Sequence, residues 1–295
     1  MEKRIFESKD TNVKKFVFEF DDPKGIAEAV LYRYGEYCTR TVICCSVMSG
    51  CPVGCSFCGT GKFFIRSLYT HEIVAQVMSC LEEIDCSTRD IHKFQIMFMS
   101  MGEPMLNYQN VAEAIKELHL LYPNAQLLVS TSAPSESYKY IGDFIQLSKQ
   151  IKEVGLQFSV HESTDDNRAK LIPTTTCSLR QMATLGELWA AFVGRKPFYN
   201  YCVHIGNSNE EDADRLVKLF NPDIWETTLS VICEKNESVQ NSIERQLDLI
   251  NNFADILVSK GVSLRIFNPA GQDDIGGGCG QLWYFQQWLR TNYIR

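Results

Sequence analysis

The chain has 295 residues, 45% of them hydrophobic and 22% charged, and this composition excludes disordered, collagen-like and coiled-coil proteins. Its 29 Lys and Arg against 36 Asp and Glu give a formal charge of −7, which argues against broad binding to nucleic acid by charge alone and confines any basic surface to a local cleft. The apolar runs are far shorter than the roughly 20 residues of a membrane span, and the N-terminus is charged where a signal peptide is hydrophobic. We therefore expect a cytoplasmic protein with no membrane partner.

Short β-branched or apolar runs alternate with amphipathic stretches along the chain, which is the pattern of successive βα units on a parallel sheet. The predicted strands cover residues 41–47, 94–100, 126–130, 155–160, 198–205, 227–232 and 262–267. The predicted helices cover residues 70–84, 108–121, 138–154, 178–192, 210–220 and 241–260. These units predict an α/β protein whose core, residues 41–295, is a partial, open (β/α) barrel of about six parallel strands. Residues 1–40 are expected to form a short N-terminal extension, with strands in VFEF and AEAVLYRY.

Twelve cysteines without a secretory signal need a cofactor or catalytic explanation, because the cytosol keeps thiols reduced. Cys51, Cys55 and Cys58 form a Cys-x3-Cys-x2-Cys array in GCPVGCSFCGTG, in a loop after the first predicted barrel strand. Three thiolates on one loop can bind three irons of a 4Fe-4S cubane and leave the fourth iron open to another ligand. Zinc is the main competitor, although no Cys or His pair of matching spacing follows within the next 20 residues. Three buried structural cysteines are the remaining alternative.

The cysteine array resembles that of radical S-adenosylmethionine (SAM) enzymes, in which the open iron binds the amino and carboxylate groups of SAM. Four further segments, MSMGEPMLNYQNV, LLVSTSAP, FSVHESTDDNRAKLIP and DDIGGGCGQL, are similar in order and spacing to the RNA adenine methyltransferases of the RlmN/Cfr type. The resemblance covers about residues 26–285, and Cys279 with the GQL after it is specific to that family. It implies a 4Fe-4S cluster on Cys51, Cys55 and Cys58, with SAM as the second cofactor.

Candidate SAM-binding residues follow the predicted strands. Gly102 lets the backbone approach a ligand and Glu103 can accept hydrogen bonds from an ammonium group, and the resemblance assigns both to the SAM amino group. A helix N-terminus, with Glu103 beside its positive end, is the alternative. The resemblance assigns the remaining SAM contacts to Ser130, Ser159, Val160, His161 and Asn236. From its position alone, His161 is equally a satisfied strand-end histidine.

Two other cysteines are expected to carry the chemistry. Cys279 lies in a glycine-dense loop that can bring a thiol close to a ligand, with a structural cysteine as the alternative. Cys44 lies in the apolar run TVICCSVMSGC, where a structural role is again the alternative and where Cys45 points to the other face of a strand. Carbon 2 of adenine is electron-poor, so polar transfer of a methyl cation fails there and a radical is required.

The resemblance divides this reaction between the two thiols. Cys279 takes a methyl group from SAM and, after hydrogen abstraction, adds to carbon 2; Cys44 then releases the product through a transient Cys44–Cys279 disulfide. Glu28 resembles the family's candidate base for the ring proton, at a spacing from Cys44 about three residues longer than the family's pattern. A solvated strand carboxylate is the alternative for Glu28.

An adenine that leaves its stack needs stacking or phosphate contacts in exchange. Basic and aromatic residues interleave on the predicted loop side: Arg33, Arg40, Lys62, Arg66, Arg168, Lys170, Arg195 and Lys196, with Tyr32, Tyr34, Phe63 and Phe64. Scattered solvated charges are the alternative. Full-length family members carry an N-terminal accessory domain that helps bind RNA, and only about 25 residues precede the matching region here, so most of that domain is expected to be missing.

The resemblance implies a monomeric enzyme that acts on tRNA or 23S rRNA and receives electrons from a donor such as flavodoxin or ferredoxin. Two other classes stay open. One is a radical SAM enzyme that uses the same methyl-cysteine chemistry on a nucleotide or peptide. The other is a zinc-stabilised RNA-binding module without catalytic activity.

Overall fold

The computed structural model describes residues 2–61, 63–231, 239–267, 275–276 and 283–292. In these ranges the strands are β1 (Glu2–Glu7), β2 (Val13–Asp21), β3 (Lys24–Arg33), β4 (Arg40–Cys45), β5 (Met48–Gly50), β6 (Phe64–Ser67), β7 (Lys93–Phe98), β8 (Gln126–Thr131), β9 (Val154–Ser159), β10 (Phe198–Val203), β11 (Glu226–Val231) and β12 (Leu264–Ile266). The α-helices are α1 (Thr70–Leu81), α2 (Tyr108–Leu121), α3 (Ile141–Gln150), α4 (Asp165–Leu171), α5 (Leu179–Val193), α6 (Glu210–Leu219), α7 (Val239–Ser259) and α8 (Trp283–Asn292).

Ten strands form one sheet in the order β1-β2-β3-β4-β7-β8-β9-β10-β11-β12, and β5 pairs with β6 in a separate small sheet. Strands β1, β2, β3 and β4 pair with one another in that order, and each of these pairs is antiparallel. The seven strands from β4 through β7 to β12 are parallel. The predicted α/β class is thus confirmed, with a mostly parallel sheet and one more parallel strand than the six or so expected.

The first three strands extend the same sheet beyond β4. Strand β2 pairs with β3 from Val13 to Asp21, and β3 pairs with β4 so that Val30 lies beside Cys44. The predicted VFEF and AEAVLYRY strands fall in β2 and β3. The N-terminal segment therefore hydrogen-bonds directly to the first parallel strand.

The two faces of the sheet differ in character. Phe94, Ile96 and Phe98 of β7 pack with the helices in the main apolar core, whereas Gln95 and Met97 of the same strand line a cavity. This alternation is the two-residue period of a strand. We call the helix-covered side the outer face and the cavity side the inner face.

All seven parallel strands end at one edge of the sheet, the carboxyl edge, where loops in parallel α/β proteins collect their functional groups. The predicted cluster loop and SAM-binding segments follow β5, β7, β8 and β9. None of the described helices is both long and apolar enough to cross a membrane.

Candidate active site

The three cysteines of the array lie in the loop between β5 and β6. The N–H of Cys51 donates to the carbonyl of Phe63 at 2.8 Å, and the N–H of Cys58 donates to the carbonyl of Cys55 at 3.1 Å. Gly50 has φ of 78°, and a Cβ there would lie 2.0 Å from the Phe63 oxygen, so only glycine fits. These backbone contacts hold the three thiols on one compact turn.

Burial raises the pKa of Cys51 to about 12 and also raises the pKa of Cys55. For both thiols the nearby charges of Cys58 and Glu103 act in the same direction, which indicates that these groups lie close together. Such thiols ionise readily only beside a positive centre, and the irons of a cluster are centres of that kind.

The donor set fits a cubane cluster. Among the described residues, no three Cys, His, Asp or Glu side chains converge as the ligands of a single metal ion would. A cubane takes one thiolate on each of three irons, so its ligands need not meet at one point. The assignment of the cluster to Cys51, Cys55 and Cys58 stays a prediction.

Glu103 follows β7 at the carboxyl edge and is only 4% exposed. Its carboxylate accepts hydrogen bonds from the N–H of Met105 at 3.0 Å and from the hydroxyl of Thr131 at 2.5 Å. The N–H and the hydroxyl of Ser132 each donate to its other oxygen at 2.8 Å. Burial raises the pKa of Glu103, and these hydrogen bonds oppose the shift. Glu103 also caps the short helical turn Pro104–Asn107, so the helix N-terminus predicted as its alternative role is present as well.

Gly102 brings the backbone close to the cysteine loop. Its φ of 99° is in the region that favours glycine, and a Cβ there would lie 2.6 Å from the Cβ of Met48. Its backbone hydrogen-bonds to the thiol of Cys51. The predicted cluster loop and the predicted SAM-binding turn are therefore in contact.

Thr131 and Ser132, the hydroxyl partners of Glu103, were not predicted from the sequence. The available signal was LLVSTSAP, in which three hydroxyl residues follow each other at the end of a strand. The predicted Ser130 lies on the inner face instead, where its hydroxyl accepts from Gln157 at 3.1 Å.

In the predicted SAM-binding segment at the end of β9, the side chains of Ser159 and Val160 have different surroundings. Val160 is fully buried and packs its side chain in the main core, so a ligand contact there has to use the backbone. Ser159 ends β9, and its carbonyl accepts from Arg168 at 2.8 Å. Only part of this predicted SAM-binding segment therefore presents side chains to the inner face.

His161 is a strand-end histidine without a partner for its Nδ1 among the described residues. It is 4% exposed, has φ of 62°, and packs against the ring of Phe57 in an edge-on contact at 5.4 Å. Burial lowers the pKa of His161 to about 3, so the imidazole is neutral. A neutral ring with an unsatisfied buried nitrogen suits a ligand contact.

The prediction that Arg168 contacts RNA is wrong, because this side chain is buried and 2% exposed. Its guanidinium donates to the carbonyls of Ser132 and Ser159 at 2.8 Å, to the carbonyl of Val160 at 3.1 Å and to the hydroxyl of Thr176. The carbonyls at the carboxyl ends of parallel strands lack strand partners, and the five donors of a guanidinium satisfy several of them at once. Arg168 thus fastens the ends of β8 and β9 together.

Of the other predicted basic residues, Arg66 is paired with a carboxylate, and Arg40 and Arg195 do not lie on the predicted loop side. Arg66 forms a two-pronged ion pair with Glu72 at 2.7 and 2.8 Å. Arg40 and Arg195 lie at the amino ends of the parallel strands, the edge opposite the cysteine loop. The predicted basic surface is therefore divided between the two edges of the sheet.

Cys44 and Cys45 point to opposite faces, as the strand alternation predicts. Cys45 is fully buried in the main core, whereas Cys44 packs on the inner face with Val30 and Met97. Burial raises the pKa of Cys44 to about 12, and a hydrogen bond with Tyr32 opposes the shift. This thiol has to lose its proton before it can attack another sulfur.

Glu28 is fully buried, so the solvated carboxylate considered as an alternative is wrong. Its carboxylate accepts from the N–H of Phe285 at 2.7 Å and forms an ion pair with Lys15. The ammonium of Lys15 also donates to the carbonyl of Gly276 at 2.8 Å. Lys15 was not predicted from the sequence, where the available signal was a lysine at an inward-facing position of the apolar strand VKKFVFEFD. Cys279, Asn236 and Lys62 lie outside the described residues.

No protein-family model matches the chain. It is 31% identical over 281 residues to a probable dual-specificity RNA methyltransferase RlmN of Dictyoglomus turgidum, covering 92% of this chain and 76% of the relative. The protein of the same description from Deinococcus deserti is 32% identical over 274 residues, which cover 91% of this chain and 76% of that one.

A solved radical SAM methyltransferase from Sphaerobacter thermophilus superposes with a TM-score of 0.75 at 26% identity, over 94% of this chain and 79% of that one. Streptococcus suis SuiB bound to S-adenosylmethionine shares the fold alone, at 13% identity and a TM-score of 0.51. The chain has this identity to its relatives over nine-tenths of its length, and its cysteine loop, its acidic turn and its parallel sheet are arranged as described above. It belongs to the RlmN family of radical SAM RNA methyltransferases.

Proposed function

We propose that the protein methylates carbon 2 of an adenine in tRNA or 23S rRNA, with Cys279 as the methyl carrier and Cys44 as the thiol that releases the product. The observation that carries this proposal is the position of Cys44 on the inner face, in contact with the apolar cluster that contains Ile275. Ile275 precedes Cys279 by four residues, which span at most about 14 Å of extended chain. The described residue Ile275, four positions before Cys279 in the sequence, thus belongs to the cluster that Cys44 packs against.

The proposed cofactor-binding residues lie in loops at the carboxyl edge of the sheet. We propose that Cys51, Cys55 and Cys58 hold a 4Fe-4S cluster and that Gly102 and Glu103 receive the amino group of SAM. When bound, these two cofactors supply the radical that an electron-poor ring carbon requires. The remaining contacts are proposed for Ser130, Ser159, the backbone of Val160, His161 and Asn236.

Glu103 suits this role because its position is set before a ligand arrives. Thr131 and Ser132 hold both of its oxygens, so the carboxylate does not need to reorient on binding. The neutral imidazole of His161 offers a hydrogen-bonding nitrogen without bringing a second positive charge near the ammonium group.

The chain's own thiols and carboxylate carry out the protein part of the reaction. Cys44 loses its proton and attacks the sulfur of Cys279. The bond from that sulfur to the methylene carbon on the base breaks, and the carbon keeps the electron pair and takes up a proton to become the methyl group. The two sulfurs are left as a disulfide, which external thiols then reduce. Glu28 is the proposed acceptor of the ring proton. It lies on the same inner face as Cys44, and the ammonium of Lys15 neutralises its buried charge.

We further infer that the seven parallel strands form the partial (β/α) barrel of radical SAM enzymes, which is supported by the likeness to the Sphaerobacter enzyme. The chemistry needs single electrons and reduced thiols. We also propose that the protein is cytoplasmic and monomeric and that it receives electrons from a donor such as flavodoxin or ferredoxin.

The test is anaerobic turnover by the reconstituted protein with SAM and a reductant. Separate reactions receive a tRNA anticodon stem-loop, a 23S rRNA fragment and free adenosine monophosphate, and digests are analysed by mass spectrometry. Methyladenine from an RNA that depends on the reductant supports the proposal. Methylation confined to the free nucleotide would favour the alternative, a non-RNA substrate. Methylation without reductant would contradict radical chemistry.

A further inference from the structure

A cavity of about 190 Å³ opens on the inner face at the amino edge of the parallel strands, opposite the cysteine loop. Among the described residues, three cations line it, Lys93, Arg195 and Arg265, and no carboxylate does. A fourth cation, Arg40, donates to the side-chain oxygen of the lining residue Gln95 at 3.2 Å. None of these four cations is needed for the reaction steps above.

The parallel topology brings these cations together. Arg40 begins β4 and Lys93 begins β7, and the two residues are paired in register. Arg265 lies in β12, and Arg195 precedes β10, so both reach the same edge. Gly155 makes room for Arg195, because a Cβ there would lie 3.3 Å from its guanidinium.

The positive charge of this group is only partly offset, because Glu226 acts on both Arg195 and Arg265 without forming an ion pair with either in the described ranges. Within the described ranges, none of the four cations forms an ion pair with a carboxylate. The Nε of Arg40 is buried and has no described partner. Partial burial lowers the pKa of Lys93, and the charges of Arg40 and Arg265 lower it further. Glu153 and Glu226 act on Arg195 only from a longer distance.

Two aromatic rings fix the orientation of the guanidinium groups. Arg40 lies over the ring of Tyr34 at 4.2 Å, and Arg265 lies over the ring of Phe198 at 4.8 Å. A guanidinium stacked in this way keeps N–H groups along its edge for an acceptor, which is the geometry that suits phosphate oxygens. The cavity therefore presents oriented donors and excess positive charge to an anion.

The other end of the cavity approaches the proposed reactive thiol. Met97 and Met99 line its wall, and Met97 is the register partner of Cys44 on β4. From Arg40 to Cys44 the strand rises about 13 Å. A continuous inner surface thus leads from the basic edge toward Cys44.

We propose that this cavity binds a backbone phosphate of the RNA, so that the chain is held at the amino edge while the target adenine extends along the inner face toward Cys44. The inference rests on the proposed function, because it assigns the phosphate to an RNA substrate. It also explains how an acidic protein concentrates its affinity for a polyanion in one confined place.

The test compares Lys93→Gln with Lys218→Gln. Both lysines are exposed, and neither forms an ion pair in the described part of the chain, but Lys218 lies on α6, away from the cavity lining. A labelled tRNA anticodon stem-loop is titrated by fluorescence anisotropy at several salt concentrations. Loss of one phosphate contact should reduce the slope of log K against log salt by about 0.7 to 0.9.

The expected result is a reduced slope, weaker binding and a raised KM for RNA with Lys93→Gln, and wild-type values with Lys218→Gln. Arg265→Gln should reduce the slope of log K against log salt in the same way. This second variant shows that the effect does not come from a folding defect of Lys93→Gln alone. Equal effects of Lys93→Gln and Lys218→Gln, or no effect of Lys93→Gln and Arg265→Gln, would overturn the inference.

Two further comparisons distinguish an RNA phosphate from free phosphate and show which of the two proposals has failed. Direct binding of inorganic phosphate that is lost in Lys93→Gln, together with an RNA titration that this substitution leaves unchanged, would make this a free-phosphate site and overturn the RNA assignment. If the wild-type protein methylates RNA but Lys93→Gln keeps its salt slope, only the present inference fails. If the wild-type protein makes no methyladenine in any RNA, the proposed function fails instead.

Discussion

Lys15 and Glu28 form an ion pair in which neither side chain is exposed to solvent. The pair joins neighbouring strands β2 and β3, and each partner also binds the backbone of the C-terminal part of the chain. Lys15 holds the carbonyl of Gly276, and Glu28 holds the N–H of Phe285. The described residues on either side of Cys279 are therefore fastened to the same buried pair.

This relationship predicts that Lys15→Met is strongly destabilising. The substitution leaves the Glu28 carboxylate buried and unpaired, which typically costs 3–5 kcal/mol. Lys14→Met is the matched control, since the neighbouring Lys14 pairs with Glu83 near the surface and such pairs contribute about 0.2–1 kcal/mol. Urea unfolding of the three proteins measures the difference. Equal losses for the two variants would show that the buried pair has no special role, whereas Lys15→Met/Glu28→Gln should recover part of the loss.

Replacing Cys51, Cys55 and Cys58 together with Ala should abolish cluster binding. After anaerobic reconstitution the wild-type protein should contain about four irons and four sulfides per chain. Cys38→Ala/Cys86→Ala is the control, because Cys38 precedes β4 and Cys86 precedes β7, at the edge where the parallel strands begin and not in the β5–β6 loop. Iron and sulfide analysis with visible absorption spectra provides the readout. A triple variant that keeps a full cluster would refute the ligand assignment, and a colourless wild type that binds zinc would favour the RNA-binding module.

The two faces of β4 predict opposite outcomes for Cys44→Ala and Cys45→Ala. Without Cys44 no thiol can release the product, so protein should accumulate that is covalently joined to RNA through Cys279. Cys45→Ala should turn over normally, with a loss of about 1 kcal/mol in stability from its core position. Nuclease digestion and peptide mass spectrometry identify the modified residue. Normal turnover by Cys44→Ala, or an adduct on any residue other than Cys279, would rule out the two-cysteine mechanism.

His161 should make folding stability depend on pH. Its pKa of about 3 in the folded protein lies below the ordinary value of 6.5, so the unfolded chain binds the extra proton between these pH values. The contribution of His161 is present above pH 6.5 and is lost as the pH falls toward 3. Between pH 6.5 and 5 this loss amounts to about 1–2 kcal/mol.

His161→Asn tests this dependence, because Asn tolerates the positive φ at that position. The variant should lose the contribution of His161, so its unfolding free energy should fall less between pH 6.5 and 5 than that of the wild type. His92→Asn, at an exposed position, should keep the wild-type dependence. Urea unfolding at both pH values gives the comparison, and identical pH dependence of His161→Asn and wild type would contradict the neutral, buried imidazole.

Local patterns in the sequence were enough to predict the elements and part of the site. The helical period places α2 at residues 108–121, the range that the structure shows. The two-residue period of a strand separates Cys44 from Cys45, and the spacing of the cysteine array puts three thiols on one loop. These features depend on backbone geometry over a few residues, which the sequence specifies directly.

Only the tertiary structure decided which distant groups meet. Glu103 accepts a hydrogen bond from Thr131, 28 residues away, because β7 and β8 are neighbours in the parallel sheet. Lys15 meets Glu28 through the register of β2 on β3, and Arg168 is buried because it binds the free ends of two strands. Strand order and register arise from packing across the whole sheet, so no short window of sequence contains them. For the same reason the basic cavity at the amino edge, assembled from four separate strand ends, emerges only in the folded chain.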